Sequence, residues 1–345
     1  MWRKFLEKRK RASRRKKRID QAYKGSVDAM FSMGQACLVG EEGVAPHAGH
    51  AAWWMERAAR AGHQLACVHA ARLAWDGFLP DEQALGQPVR QASRKDDALM
   101  FARLGHQRGD PDASLFLVWL LDAIRMKADP ERLEALQAAA EKGLPLALVG
   151  LADVEARAGA SAERVMDLLS IPLEKNLGIA HYMVSTWYGQ GTLLGQDEKK
   201  ARHHLEIAAD TGYVPAMALL GECLMVENHR PSDGGADDEG KERLRRLTRG
   251  ESLLRKAAAG NGRAACVLGD YWSTIAEIPD IRQAVQWYEK AVSLGFSGAF
   301  FMSARIVLEG RSDHMTQQEA WTRMEQAAGA GHAGAKTVLS KKLSC

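Results

Sequence analysis

A repeat that recurs nine times along the 345 residues limits the folds that this chain can adopt. In each unit a turn-forming residue is followed four positions later by alanine. The intervals between successive turn residues are 37, 47, 34, 33, 36, 48, 35 and 36. A near-constant period of this length predicts an array of similar supersecondary units that stack on their neighbours. The nine turn residues are Gly25, Gly62, Gly109, Gly143, Asn176, Gly212, Gly260, Gly295 and Gly331.

Small residues upstream of each turn form a stripe. In "AAWWMERAARAGHQLACVHAARL" the stripe is Ala51, Met55, Ala58 and Ala59, which lie eleven, seven, four and three positions before the turn glycine. Spacings of four, three and one place these side chains on one face of a helix, where small residues let a second helix approach closely. Asparagine at position 176 fits the scheme, because it is the next best residue after glycine for left-handed backbone. Each unit is therefore predicted to be helix, turn, helix.

This pattern resembles the Sel-one-like repeat (SLR), a relative of the tetratricopeptide repeat. The best matches are "AVQWYEKAVSLGFSGAFFMSA", "ARHHLEIAADTGYVPAMALLGECL" and the segment quoted above, and the resemblance covers about residues 20–340. It implies an all-α fold, a right-handed α-solenoid of about nine helix-turn-helix units. It also implies a concave face that binds a protein or peptide. The pattern is weakest in the first unit and in the unit that holds Pro172.

The chain divides by composition into two domains. Residues 1–18 carry eleven basic side chains and one acidic one, a net charge of +10. Residues 19–345 then carry −6 of the total +4 and form the predicted solenoid, with polar insertions near 76–97 and 226–250. The arm is predicted to be either a polar capping helix or an extension of the repeat array.

Three readings of the basic arm compete: a solubilising cap, an element bound to an anionic membrane surface, and an arm bound to nucleic acid. The membrane reading ranks ahead of nucleic acid, because Trp2, Phe5 and Leu6 form one apolar helical turn beside the basic run. Deleting residues 1–18 and measuring binding to anionic liposomes and duplex DNA across a salt series separates the three. The residues predicted to contact an anionic surface are Arg9, Lys10, Arg11, Arg14, Arg15, Lys16, Lys17 and Arg18.

Partner-binding residues are sought where the units differ. Positions eight and five before each turn vary from tryptophan to arginine to alanine, whereas stripe positions hardly vary. Large aromatic residues and arginine are the types that anchor interfaces. The competing reading is that the aromatic residues pack between the two helices of a unit. The candidate contacts are Trp53, Trp54, Phe101, His203, His204, Trp287, Trp321 and Arg323.

Motifs for chemistry are not found. The five cysteines form no C-x-x-C pair, and the eleven histidines form no H-E-x-x-H, so neither a metal nor a cofactor is predicted. There is no G-x-S-x-G and no phosphate-binding loop, so we expect no enzyme and no small-molecule substrate. No run of eighteen apolar residues occurs, and the default location is the cytoplasm, with peripheral membrane association through the arm as the variant.

Two functions remain. The first is a non-catalytic scaffold or adaptor that binds a protein or peptide on the concave face of the solenoid. The alternative is a peripheral membrane or nucleic-acid-associated protein in which the basic arm makes the essential contact.

Overall fold

The computed structural model describes residues 2–41, 44–83, 87–90, 92–125, 129–228, 238–276 and 279–342, with side chains described from residue 13 onward. The chain separates into two compact units, Met1–Ile171 and Pro172–Cys345. The side chains of Arg9, Lys10 and Arg11 lie outside the described residues, as do parts of both polar insertions.

All regular elements of the described residues are helical, apart from two isolated β-bridges. The first unit contains α1 (Trp2–Tyr23), α2 (Val27–Val39), α3 (Ala48–Arg60), α4 (Ala66–Trp75), α5 (Lys95–Gln107), α6 (Pro111–Ala123), α7 (Pro130–Glu141) and α8 (Pro145–Arg157). Helix α9 (Ala162–Glu174) holds the boundary between the units. The second unit continues with α10 (Gly178–Gln190), α11 (Glu198–Asp210), α12 (Val214–Glu227), α13 (Asp238–Ala257), α14 (Gly262–Asp270), α15 (Ile281–Ser293), α16 (Ser297–Leu308), α17 (Gln317–Gly329) and α18 (Ala333–Lys342). Consecutive helices pack on each other from α1 to α8 and from α10 to α18.

The predicted register is confirmed. Each of the nine turn residues lies between the two helices of a pair, so the fold is all-α with nine helix-turn-helix pairs in the described residues. Eight of the nine have positive φ, including Asn176 at 51°. Gly260 was predicted to close its turn in the same way, and this is wrong. Four residues, 258–261, separate α13 from α14, one more than in most pairs, and the side chain of Asn261 caps α14 by accepting a hydrogen bond from the Ala264 amide.

The stripe is the core of each pair. Ala51, Met55, Ala58 and Ala59 have 0% exposure, and their counterparts in later units form the centres of the apolar clusters. Some counterparts are only half-buried, among them Ala201 on α11, Val292 on α15 and Ala328 on α17. The stripe therefore packs the pairs and is partly open at its ends.

Successive pairs interlock through glycine on the second helix of a pair. Gly34 lies nine positions after its turn and faces Met55, seven before the next turn, so that an added Cβ would lie 2.8–2.9 Å from the methionine side chain. Gly269 faces Tyr288 in the same register, with 2.5 Å to the ring. Such close approach leaves no room for a larger residue, because protein interiors are packed to crystal-like density.

The basic arm is helical. Helix α1 runs without a break from Trp2 to Tyr23, across the boundary placed at residue 18, and packs on α2. Pro172, the other irregularity, lies in the last turn of α9. A proline near the end of a helix removes only one backbone hydrogen bond, so the pair keeps its form.

Candidate protein-interaction surfaces

The position eight residues before each turn faces inward in most pairs. Trp54 is 1% exposed and donates its indole N–H to Nε2 of His50 at 2.8 Å, and Phe101 is 0% exposed. Both side chains are core, which removes them from any surface open to a partner. The competing sequence-based reading, packing between helices, holds for these two aromatic residues.

Trp53, one position further from the turn, is half-buried. Its ring contacts Trp54 at 4.5 Å between centroids and Tyr23 at 6.0 Å, and the guanidinium of Arg57 lies 4.6 Å from its ring centroid. The Trp53 indole therefore packs between the end of α1 and α3, and only part of the ring is exposed.

The candidates in the last two pairs are engaged within the protein. Trp287 is flanked by Arg255 at 5.4 Å and Lys290 at 5.5 Å. Arg323 bonds both carboxylate oxygens of Glu289 and donates to the Ser303 hydroxyl at 3.1 Å. A guanidinium held in this way is unavailable to a partner unless the internal ion pair breaks. Trp321 is half-buried, with the Lys342 ammonium 3.8 Å from its ring centroid.

The two adjacent histidines of α11 have different surroundings. His204 turns inward, where its Nδ1 lies 2.9 Å from Nδ1 of the buried His181, so one imidazole donates a hydrogen bond to the other. Burial, together with the nearby imidazoles of His181 and His203, lowers the pKa of His204 to about 4. His203 points outward and is exposed.

His203 lines a groove with a volume of about 850 Å³. The groove crosses α10, α11 and α12, all in the second unit. Its walls combine acidic, basic, hydroxyl and apolar groups. The lining residues are Ser185, Thr186, Gly189, Gln190, Glu198, Lys199, Ala201, Arg202, His203, Leu205, Glu206, Leu219, Cys223 and Glu227.

The groove is open because its floor consists of small residues. A Cβ added to Gly189 would have its nearest neighbour, the Cβ of Ala201, at 3.9 Å, which is ordinary contact distance. Gly189 stands thirteen positions after its turn. In the helix pair α3–α4 the residue at the same register position, thirteen after the turn, is Trp75 on α4. Glycine in place of tryptophan at this register position therefore accounts for much of the volume of the groove.

One arginine organises the electrostatics of the groove. Arg202 on α11 donates to both carboxylate oxygens of Glu227 on α12, at 2.9 and 3.0 Å, and lies 3.5 Å from Glu206. The hydrogen bond to Glu227 raises the pKa of Arg202, and burial raises the pKa of the Cys223 thiol. The groove thus presents a fixed ion-pair wall and a neutral thiol beside the exposed imidazole of His203.

Sequence reasoning found His203 and missed Arg202, Glu206 and Glu227. A signal was present: Gly189 stands in the loop-like stretch "GQGTLLGQDEKKA", at a register position where another unit has tryptophan. A comparison of the second helices of the pairs at equal register positions identifies this glycine.

The described part of the basic arm is partly engaged. Arg18 donates to Glu41 at 2.5 Å and to the Ser32 hydroxyl at 3.2 Å, which ties α1 to α2 and its following loop. Arg15 is half-buried, whereas Arg14, Lys16 and Lys17 are exposed. Contact between the arm and an anionic surface stays a prediction, for which these three side chains are the accessible charges among the described residues 13–18.

Within the described residues, no three or more histidine, cysteine or acidic side chains are grouped so that they could hold a metal ion. Among the helices described, none is both long enough and apolar enough to cross a bilayer. Burial raises the pKa of Cys37 to about 11 and that of Cys266 to about 12, which keeps both thiols protonated and weakly nucleophilic.

Comparison with known proteins agrees with this fold. The Sel1 repeat model matches residues 27–63, 178–213 and 263–296. A protective antigen of uropathogenic Escherichia coli strains, which displays an SLR fold, superposes with a TM-score of 0.65 and 21% identity over 93% of this chain and 66% of that one. A Sel1 repeat protein from Oxalobacter formigenes gives a TM-score of 0.57 and 19% identity over 94% of this chain and 89% of that one. No curated protein sequence matches the chain.

The chain therefore contains Sel1 repeats and has the fold of SLR proteins, as the sequence resemblance indicated. Proteins built from this repeat are generally interaction scaffolds and typically non-catalytic.

Proposed function

We propose that this protein is a non-catalytic scaffold that binds a segment of a partner protein in the groove across α10, α11 and α12. The observation that carries the proposal is the groove itself, at about 850 Å³ and lined from three successive helices. This volume lies within the range of roughly 300–1,000 Å³ usual for ligand clefts. It suits a short peptide segment.

The chemistry of the walls supports a peptide rather than a purely apolar ligand. Leu205 and Leu219 offer apolar contact, while Gln190, Lys199 and His203 offer polar groups that are free of ion pairs within the described residues. A peptide needs both, because its backbone amides and carbonyls must be hydrogen-bonded where they leave water. The Arg202–Glu227 pair supplies a rigid wall whose charges cancel.

Photo-crosslinking tests the proposal. A photoreactive phenylalanine analogue replaces His203 in the full chain, expressed in the cells that make the protein. The matched control carries the same analogue at Ser252, an exposed position of α13 outside the groove. We expect a discrete protein adduct from position 203 that is absent from position 252. No adduct at 203, or the same adducts from both positions, would refute binding in the groove.

A further inference from the structure

A second surface, in the first unit, exposes aromatic rings that are already packed against each other. Trp119 on α6 is 47% exposed. Its ring lies 5.1 Å from that of Trp75 on α4 and 5.4 Å from that of Phe116, centroid to centroid. Rings held in this way lose little conformational entropy when a partner covers them, so binding at these rings has a small entropic cost.

Helix α5 extends the apolar area. Met100 is 43% exposed, and a shallow groove of about 500 Å³ along that helix is lined by Asp96, Leu99, Met100, Arg103, Leu104 and Gln107. Met100 has the register position of His203, and Phe116 that of Leu219, two residues that share the groove of the second unit. The repeat therefore places α4, α5 and α6 side chains on one face. An apolar area crossing three helices is unusual on a protein surface without a partner.

One arginine at this face makes no ion pair within the described residues. The guanidinium of Arg72 on α4 lies 5.5 Å from the centroid of the Phe116 ring. Two other arginines of the first unit differ, because Arg103 is bound by Glu131 at 2.8 Å and Arg132 by Asp122 at 2.7 Å. The aromatic cluster is thus flanked by an arginine that no carboxylate among the described residues pairs with.

We propose that Arg72, Trp75, Met100, Phe116 and Trp119, here called the aromatic surface, dock an acidic peptide segment of a partner protein. The segment carries an aromatic or aliphatic side chain next to a carboxylate. The apolar side chain covers Trp119 and Met100, and the carboxylate pairs with Arg72. Partial desolvation by the rings strengthens that ion pair. The proposal rests on the interaction role proposed above but uses a different surface.

Selection from a phage-displayed random dodecapeptide library tests it, with the full-length protein as bait and the Trp119→Ser variant as counter-bait. We expect enriched peptides with an aromatic or aliphatic residue beside aspartate or glutamate. A synthetic peptide of the enriched sequence should bind Arg72→Gln and Trp119→Ser at least about tenfold more weakly than the unaltered protein. Leu146→Ser, which removes a 53% exposed leucine from α8, is the matched control and should bind normally. Circular dichroism confirms that each variant is folded.

Several outcomes overturn the proposal. Enriched peptides without a carboxylate, or peptides that bind Trp119→Ser as well as the unaltered protein, exclude it, and so does the lack of any enrichment over the counter-bait. Concentration-dependent self-association that Trp119→Ser abolishes would make a second copy of this chain the occupant. If the enriched peptides are lost with Gly189→Trp and not with Trp119→Ser, the groove of the second unit binds them. The proposed function then stands and the aromatic surface does not.

Discussion

The groove across α10, α11 and α12 and the aromatic surface across α4, α5 and α6 occupy the same positions in the repeat and have opposite chemistry. Thirteen residues after the turn the groove has Gly189 and the aromatic surface has Trp75. Nine and ten residues before the next turn the groove has His203 and Arg202, where α5 has Met100 and Leu99.

The repeat thus determines where such a surface lies, while the residues at a few register positions determine what the surface can bind. The stripe that packs each pair is nearly constant, so side chains outside it vary without cost to the fold. Two surfaces of different chemistry can therefore stand on one architecture.

The largest effect is expected at a glycine of the aromatic region. A Cβ on Gly105 of α5 would lie 2.4 Å from the Cβ of Ala113 and 2.9 Å from that of Cys67. We expect Gly105→Ala to lower the free energy of unfolding by about 1–3 kcal/mol, the usual cost of overpacking a core. The measurement is urea unfolding followed by circular dichroism.

Gly189→Ala is its matched control in the groove, since the nearest atom to the new methyl is 3.9 Å away. It should leave stability unchanged or raise it by up to about 1 kcal/mol, because alanine is the better helix former. Equal destabilisation by both substitutions would contradict the contrast between a packed and an open region.

The next effect concerns pH. Eight residues before the turn, α11 has His204 and α5 has Phe101. The pKa of His204 is lowered to about 4 in the folded protein from an ordinary value near 6.5, so the unfolded chain binds the proton more readily. Its stabilising contribution is therefore complete above pH 6.5 and is lost as pH falls from 6.5 to 4. The shift corresponds to about 3.4 kcal/mol, which solvent screening of the partly exposed ring reduces to about 2 kcal/mol.

Exchanging the residue for its counterpart checks this. His204→Phe should reduce the loss of unfolding free energy between pH 7.5 and pH 4.5 relative to the unaltered protein, by urea titration at both pH values. His203→Phe, a change at the exposed neighbour, removes only the last of the three causes of the shift and should alter the pH dependence less than His204→Phe does. An unaltered profile in His204→Phe would show that His204 does not couple folding to protons.

The smallest effect on stability is expected at the ion pair of the groove. Arg202→Leu introduces the residue type that α5 has at the same position, Leu99. Arg202 and Glu227 are both partly exposed, so we expect a change below about 1 kcal/mol. The same substitution should abolish the adduct formed from position 203, because it removes the charged wall. Full crosslinking in Arg202→Leu would show that the ion pair plays no part in binding.

The sequence was sufficient to predict the architecture. The period, the turn residues and the small-residue stripe predicted nine helical pairs, and even the exception at Asn176 adopts the expected left-handed backbone. These features are local: a turn needs a residue that tolerates positive φ, and a helix pair needs small residues at its contact. Gly260 shows the limit, because it keeps the spacing of the pattern while four residues separate the two helices of its pair and Asn261 caps the second one.

The candidate site was predicted less well, for a tertiary reason. Position in the repeat could not distinguish Trp54, which is core, from Trp53, which is half-buried, since the two differ by one helical step. Nor could position in the repeat predict the ion pair between Arg323 and Glu289, thirty-four residues apart, or the hydrogen bond between His204 and His181. These pairings depend on how adjacent helices face each other.

The number of helical pairs, their turns and the residues that pack them could thus be predicted from the amino-acid sequence, because each depends on spacing within one repeat. Which variable side chains stay accessible follows from the packing of the helices. Accessibility depends on the neighbouring helices as well as on the residue: Gly189 leaves a groove beside Ala201, and Trp75 packs its ring against Trp119.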